Sequence, residues 1–365
     1  MCENRTMDLR GSWQEIGGRI REARTVFGWT QAELAGRLGM DRSALVRVEA
    51  GDRKLDALEL FQISVLFGLP LSHFVRESPL AAVSRRTPLG DTVSDSARTS
   101  WLLDAELSAH ATDAAWLADA GLLPDDRNWI REASSEAEAR AVAVELRGHL
   151  GLEPDEPLGP MTAVCEQAGL YLLSVRRGDG GASLSVDTYG VAVTGVGADP
   201  GRRRSTAAHE LGHHVMGDAY SSDLGLTDLD DAERMVDAFA AELLVPSAHL
   251  EQVLDGVTRD RQREVLVKVA AEFRVSWSLA VRSAKRVAEV DEQRLLASPP
   301  LAADFLLLPG GEPRSDLEAG ETGPAWRSAT LRAYEQGLIA ADRAIELLHG
   351  VITVDELPSV DHAVA

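Results

Sequence analysis

The sequence lacks most of the features that mark secreted and membrane-bound proteins. Its 365 residues include only two cysteines, Cys2 and Cys165, too few for a disulfide framework or for a zinc site built from cysteines. No apolar run approaches the ~18 residues that a membrane-spanning helix needs, and the first residues show no apolar core of a signal peptide. We therefore expect a cytoplasmic protein that does not contact a membrane.

Aromatic residues are also scarce, at 5% of the chain, so the cores must rest mainly on leucine, valine and alanine. Hydrophobic residues at 45% and charged residues at 26% are ordinary for globular proteins and argue against extensive disorder. A chain of this length has room for two or three domains.

Basic residues are outnumbered, and the imbalance is uneven along the chain. There are 37 Lys and Arg against 58 Asp and Glu, which gives a formal net charge of −21. Residues 13–77 nevertheless contain nine residues of each sign, whereas the segment from Asp218 to Asp255 contains ten acidic residues and one basic residue, Arg234. The first part of the chain is therefore compatible with a phosphate backbone, and the later part repels one.

The neutral N-terminal segment has the periodicity of short helices. Apolar side chains recur every three or four positions over residues 16–27, and Gly28 predicts the end of that helix. Thr30 and Glu33 have the spacing of a capping box at the start of the next helix. Asp41 is in position to cap a third helix. Two short helices joined by a tight turn form the helix-turn-helix arrangement.

The second helix of that pair is narrow enough for a DNA major groove. Its predicted outer face carries Arg42, Ser43 and Arg47. Arginine can pair with the O6 and N7 atoms of guanine, so these side chains are candidates for reading bases.

Residues 30–51 closely resemble the XRE/lambda-repressor-like helix-turn-helix family, and the resemblance covers about residues 13–77. It implies that Gln31 holds a DNA phosphate while the three outward side chains named above face the bases of a double-stranded operator. The alternative is a helical adaptor that binds protein or only dimerises.

A second pattern, His209-Glu210-Leu211-Gly212-His213, has the spacing of a zinc site on a helix. Histidines four positions apart project side by side, so both imidazoles can bind one tetrahedral ion. Glu210 points to the neighbouring flank, where it can take a proton from metal-bound water. Catalytic zinc takes a third protein ligand and keeps one position open. Glu233 can complete the site, and Asp237 can accept the outer N–H of a ligating histidine.

The helices that bear these motifs resemble the gluzincin arrangement. Together with the string from Phe239 to Pro246, they resemble the ImmA/IrrE family of metallopeptidases over about residues 138–290. The resemblance implies a helical protease domain with a small sheet, in which His209, His213 and Glu233 hold Zn2+. Members of that family act on repressors or partner regulators, and fusion to an XRE-type module occurs among them.

We predict a mainly α protein (α+β), with a five-helix N-terminal domain and a helical, zincin-like domain that contains a small β-sheet. Short strands are expected at 171–175, 183–186 and 190–194. The predicted regions are a DNA-binding domain at 13–77, a linker with short helices at 78–135, a zinc metallopeptidase domain at 136–292, and a C-terminal loop and helical tail of unknown role at 293–365.

The motifs together favour a DNA-binding transcriptional regulator with an active zinc metalloendopeptidase domain, in which Glu210 is the catalytic base. Its protein substrate would be a repressor or another regulator. One alternative is a non-catalytic transcription factor whose metal domain senses a ligand or supports a dimer. Another is an antitoxin-like component of a toxin–antitoxin module. The sequence leaves a homodimer open.

Three further patterns have structural interpretations. The basic string at 202–204 is expected to be a solvated strand end. Residues 262–290 imitate a second helix-turn-helix, which we expect to pack against the peptidase domain rather than to read DNA. No residue is identified that would stabilise the oxyanion of peptide hydrolysis. The candidates are His214, Tyr220 and His249, and each is expected to be structural or solvent-exposed instead.

Overall fold

The computed structural model describes residues 9–75, 84–86, 93–124, 129–153, 155–186, 188–217, 226–308 and 315–359. It confirms the prediction of a mainly α protein with a small β-sheet. None of the described helices combines the length and the hydropathy of a membrane span.

Within the described residues, five helices form the N-terminal domain. They are α1 (Leu9–Val26), α2 (Gln31–Arg37), α3 (Arg42–Glu49), α4 (Ala57–Phe67) and α5 (Leu71–Val75). Their inward faces share one core, in which Ile20, Leu34, Leu45, Ile63 and Phe74 are completely buried. The predicted helix-turn-helix pair is α2 and α3.

The start of α2 has the predicted capping box. The Thr30 hydroxyl accepts a hydrogen bond from the backbone N–H of Glu33, and the Glu33 carboxylate accepts one from the N–H of Thr30. Asp41 lies at the predicted cap position of α3, but its side chain makes no capping hydrogen bond. The prediction of that bond from Asp41 was therefore wrong, and only its backbone marks the start of α3.

The remaining described residues form a second helical body around the sheet. Its helices are α6 (Val93–Asp119), α7 (Glu136–His149), α8 (Met161–Gln167), α9 (Pro200–Met216), α10 (Leu226–Leu244), α11 (Ser247–Leu254), α12 (Gln262–Glu272), α13 (Trp277–Val287), α14 (Glu292–Leu296), α15 (Ala302–Leu306), α16 (Pro324–Glu335) and α17 (Ala341–Leu347). A short 3-10 helix follows at Val354–Glu356.

The sheet contains four strands within the described residues: β1 (Ser84–Arg86), β2 (Leu170–Val175), β3 (Gly181–Val186) and β4 (Tyr189–Gly195). Their order is β1-β3-β4-β2, with β2 and β4 parallel and the other two pairs antiparallel. The three predicted strands are present, with slightly different ends. Strand β1 was not predicted, and it lies in the region expected to be a linker.

Both faces of the sheet are buried, each against a different set of helices. Along β2, Leu170 and Leu172 belong to the core that contains α7 to α13, whereas Tyr171, Leu173 and Val175 belong to a second core with α6 and α16. Successive side chains of a strand point to opposite faces, so this alternation places the sheet between two helical layers.

Helix α6 occupies much of the region predicted as a linker with short helices at 78–135. Where short helices were expected, residues 93–119 form one continuous helix of 27 residues. Leu102 and Ala105 belong to the core of the N-terminal domain, and Leu103 and Leu107 belong to the sheet core. Other residues expected in the linker, 78–83 and 87–92, lie outside the described part of the chain.

The C-terminal region packs onto the sheet and onto α9. Trp326 of α16 is buried in the second core, and the carboxylate of Glu166 accepts hydrogen bonds from the backbone N–H groups of Ala325 and Trp326. Asp316 is buried beside Arg204 of α9 and accepts a hydrogen bond from its guanidinium. The described residues of the C-terminal tail thus help to cover the second helical body.

The basic string at 202–204 was wrongly predicted as a solvated strand end. It lies in the first turns of α9, because Asp199 caps this helix through the N–H of Arg202 and Pro200 takes the first helical position. Residues 262–290, which imitate a second helix-turn-helix, contain α12 and α13. As expected, the apolar faces of this pair pack into the core, including Leu266, Phe273 and Val281.

Candidate metal centre

Two crossing helices, α9 and α10, bring the predicted metal ligands together. Gly212 lies where they approach, since a Cβ there would be 2.9 Å from Cδ1 of Phe239 and 3.0 Å from Cγ1 of Val236. A larger residue would push the helices apart. Gly212 therefore allows α9 and α10 to pack closely.

The polar atoms of His209, His213 and Glu233 converge on one point and lie within 4.8 Å of one another. The two Nε2 atoms are 3.1 Å apart. Nε2 of His209 is 3.3 Å from Oε2 of Glu233, and Nε2 of His213 is 3.5 Å from Oε1. Two ligands about 2.1 Å from a tetrahedral ion lie about 3.4 Å apart, so this donor set fits zinc in both type and spacing.

The surroundings of this triad also favour a cation. Nδ1 of His209 donates to Oδ1 of Asp237 at 3.0 Å, which fixes the orientation of the His209 ring. Burial opposes ionisation of Glu233, but the hydrogen bond from His209 and the charges of both histidines outweigh it and lower the pKa of the carboxyl. The Glu233 side chain is half-exposed, so the site opens to solvent on this side.

Glu210 lies at the base of the site, between α9 and β3, and is completely buried. Its Oε2 accepts a hydrogen bond from the hydroxyl of Ser183 at 2.6 Å, whereas its Oε1 has no hydrogen-bond partner among the described residues. Gly181 lets the strand approach, because a Cβ at this position would lie 2.7 Å from Oε1. One carboxylate oxygen is thus held by Ser183, whereas the other has no hydrogen-bond partner among the described residues.

The N-terminal domain presents a candidate DNA-binding surface on α3. Arg42, Ser43 and Arg47 are exposed, while Leu45 and Val48 on the opposite face are buried. This is the face that the sequence predicted.

Gln31, at the start of α2, donates from Nε2 to the carboxylate of Glu49 at 2.9 Å. Arg24 binds the same carboxylate at 2.6 Å, so Glu49 links α1, α2 and α3. Gln31 therefore lies where the start of α2 meets the end of α3.

Two family models match the chain over these two regions. A helix-turn-helix model matches residues 20–74, and the model of the IrrE N-terminal-like domain, a peptidase family, matches residues 180–285. The chain combines an XRE-type helix-turn-helix domain with an IrrE-like peptidase domain. The second match includes β3, α9 and α10, and therefore every residue of the candidate metal centre.

Two curated proteins resemble the helix-turn-helix domain. They are uncharacterised HTH-type transcriptional regulators of Sinorhizobium medicae (strain WSM419) and Rhizobium meliloti (strain 1021), each 33% identical over 64 residues. The match covers 18% of this chain and 46% of each relative, so the chain spans about half the length of the curated relatives it matches.

Two of the candidates for oxyanion stabilisation, His214 and His249, are buried among packed residues. His214 is buried, and its Nε2–H donates to the carbonyl of Ala168 at 3.1 Å. Burial lowers the pKa of His214 to about 4, against the opposing effect of that hydrogen bond. His249 packs against Phe273, and Tyr220 lies outside the described residues.

Sequence reasoning missed Ser183 and Gly181 as parts of the site. Neither belongs to a motif near His209, and strand β3 brings them to Glu210 from about 30 positions earlier in the chain. The only signal was a small, hydroxyl-rich strand ahead of the zinc motif, a pattern that many strands share.

Proposed function

We propose that this protein is a transcriptional regulator that binds operator DNA through α3 and hydrolyses a partner regulator at the metal centre. The observation that carries the enzymatic part is the convergence of His209, His213 and Glu233 beside a buried Glu210 whose Oε1 has no hydrogen-bond partner among the described residues. The exposed arginines of α3 support the DNA-binding part.

Each residue of the candidate centre has a separate role in the proposed hydrolysis. His209, His213 and Glu233 would hold Zn2+, which when bound supplies Lewis-acid chemistry for attack on a peptide carbonyl. Glu210 takes a proton from the attacking water and passes it to the leaving amine nitrogen, so that water is added across the broken C–N bond. Ser183 keeps the carboxylate in position by its hydrogen bond, and Asp237 orients the His209 ring.

The charge around the site supports a basic substrate segment. Helix α10 carries Asp230, Asp231, Glu233 and Asp237, and it also carries one basic residue, Arg234. Such a surface attracts a cationic peptide and repels an acidic one. The DNA-binding face of a repressor has this chemistry.

Metal analysis of purified variants tests the ligand set. Wild type should contain one zinc ion per chain, and His209→Ala, His213→Ala and Glu233→Ala should each lose most of it. Glu210→Gln serves as the matched control and should keep the metal, because the residue is not a ligand. Full zinc content in Glu233→Ala would contradict the proposed third ligand.

Expression of wild type and Glu210→Gln in the native host tests catalysis. The Glu210→Gln strain should accumulate an uncut partner protein and change its transcripts, while zinc content and DNA affinity remain those of wild type. Identical proteomes and transcripts, at rest and under stress, would instead favour a non-catalytic sensor.

Selection of duplexes from a random library by the full chain tests DNA binding. Arg42→Ala or Arg47→Ala should weaken binding to the selected site by about 1–3 kcal/mol and relax the base preference at one position. Arg327→Ala removes an exposed charge from α16 and should change neither property. Gln31→Ala should weaken binding to all sequences alike. No enrichment above background would refute the operator proposal.

A further inference from the structure

The strand β1 lies on the edge of the sheet next to the candidate metal centre. Ser84, Arg85 and Arg86 pair antiparallel with Ser183, Ala182 and Gly181 of β3, respectively. The sheet order β1-β3-β4-β2 shows that this edge of β3 would be open if β1 were elsewhere.

Two of these β3 residues, Ser183 and Gly181, lie against the proposed base. The Ser183 hydroxyl binds Glu210, and Gly181 lies against the other carboxylate oxygen. An open strand edge presents unpaired N–H and C=O groups, to which an extended peptide can add as a further strand. A peptide added to β3 would therefore run past Glu210, along the backbone positions that β1 holds.

The pairing between β1 and β3 is short enough to be exchanged. It covers three residues of β1, and each backbone hydrogen bond adds only a small net stabilisation because it replaces a bond to water. Eight residues, 76–83, separate β1 from the end of α5. A segment tethered over such a distance has an effective concentration of roughly millimolar order, so it competes with free peptides despite its short pairing.

We propose that β1 is an intramolecular competitor of the peptide substrate: Ser84–Arg86 holds the β3 edge beside Glu210, and an extended polypeptide segment reaches the metal centre only after β1 has left. The occupant is basic, with two adjacent arginines, which matches the substrate charge inferred from α10. This inference rests on the proposed peptidase function for its consequence, but the occupancy itself is measurable in metal-free protein.

The test compares wild type with a variant that carries Ser84→Gly, Arg85→Gly and Arg86→Gly, which keeps the chain length but weakens the strand. A variant with Arg85→Lys and Arg86→Lys keeps charge and strand and is the matched control. The probe is a fluorescent peptide that copies residues 81–89, added to metal-free full-length protein. We expect the triple-glycine variant to bind it at least tenfold more tightly than wild type or control.

Amide hydrogen exchange provides a second measurement. Exchange at residues 181–183 should be faster in the triple-glycine variant and should slow again when the peptide is added. Equal peptide affinities in all three proteins, or unchanged exchange on β3, would overturn the proposal. So would cleavage of the wild-type chain within residues 84–86, because β1 would then be a substrate rather than a competitor.

Cleavage of reduced, unfolded lysozyme, a basic protein, by the zinc-loaded variants separates this inference from the peptidase function. Faster cleavage by the triple-glycine variant supports both. Equal, measurable rates in variant and wild type leave the peptidase function intact and overturn the competitor proposal. If none of the proteins cleaves this substrate and Glu210→Gln does not differ from wild type in the host, the peptidase function fails, while the peptide-binding measurement still decides whether β1 holds the edge.

Discussion

The Ser183 hydroxyl donates to the Glu210 carboxylate over 2.6 Å inside a fully buried contact. A hydrogen bond to a charged group contributes about 1.5–3 kcal/mol. Ser183→Ala should therefore lower kcat for peptide cleavage at least about tenfold, with zinc content unchanged. Ser185→Ala, two positions along the same strand, is the control. Equal activity of the two variants would show that Ser183 does not position the base.

Arg204 and Asp316 form a buried ion pair between α9 and the C-terminal region, with exposed fractions of 0% and 4%. Burial lowers the pKa of Arg204 to about 10, although Asp316 opposes that shift. Asp316→Asn leaves a buried charge without its partner and should lower the free energy of unfolding by about 3–5 kcal/mol. Chemical denaturation measures this loss.

The control for that prediction is an ion pair of the same kind on the surface. Arg259 and Glu289 are 66% and 86% exposed, so Glu289→Gln should leave the unfolding midpoint where it is. If both substitutions proved equally harmless, the C-terminal region would not depend on the Arg204–Asp316 pair.

At the scale of elements, α6 connects the two domains because it belongs to both cores. Leu102 faces the helix-turn-helix core and Leu107 the sheet core. Leu→Ala at either position should cost about 2–4 kcal/mol, less for Leu102, which is slightly exposed. Both variants should lower the midpoint of a single calorimetric transition. Two separate transitions, each shifted by only one variant, would mean that the domains unfold independently.

The same helix explains why part of the fold escaped prediction. A helix that buries one stripe shows a clear period of 3.6, and the helices of the N-terminal domain were predicted in this way. In α6, adjacent residues such as Leu102 and Leu103 are buried in different cores, which blurs that period. Two short helices were therefore inferred where one long helix exists.

The candidate metal centre could be predicted where its residues share a helix, but not where the fold brings distant residues together. His209, Glu210 and His213 have a fixed spacing on α9, and Glu233 and Asp237 are four positions apart on α10. Strand β1 has no such signal. Three residues cannot show alternation, and their pairing depends on an edge about 100 positions later in the chain.

At the scale of the whole molecule, the helix-turn-helix domain is packed against the peptidase-like body. Arg177, in the turn between β2 and β3, donates to the carbonyl of Gly68 at the end of α4. Trp101 of α6 donates to the carboxylate of Glu22 in α1 at 2.9 Å. The helix-turn-helix domain thus contacts the turn that leads into β3, the strand that carries Gly181 and Ser183.

His110 lies at the centre of this assembly and links three elements. Its Nε2–H, on α6, donates to the carbonyl of Tyr171 in β2 at 3.1 Å, and its ring lies 4.3 Å from that of Trp326 in α16. The residue is 2% exposed. Burial, together with the nearby His349, lowers the pKa of His110 to about 3, although the hydrogen bond to Tyr171 opposes the shift.

This pKa predicts a loss of stability in mild acid. In the unfolded chain His110 takes up a proton near pH 6.5, whereas in the folded chain it stays neutral until about pH 3, so unfolding binds a proton between these values. The stabilisation is complete above pH 6.5 and decreases as the pH falls, by about 2 kcal/mol at pH 5. His110→Gln retains a donor for the Tyr171 carbonyl but cannot titrate, so its stability should fall less between pH 7.5 and pH 5, by about that amount. Denaturation curves of both proteins at the two pH values measure the difference, and parallel losses in wild type and variant would show that His110 is protonated in the folded state.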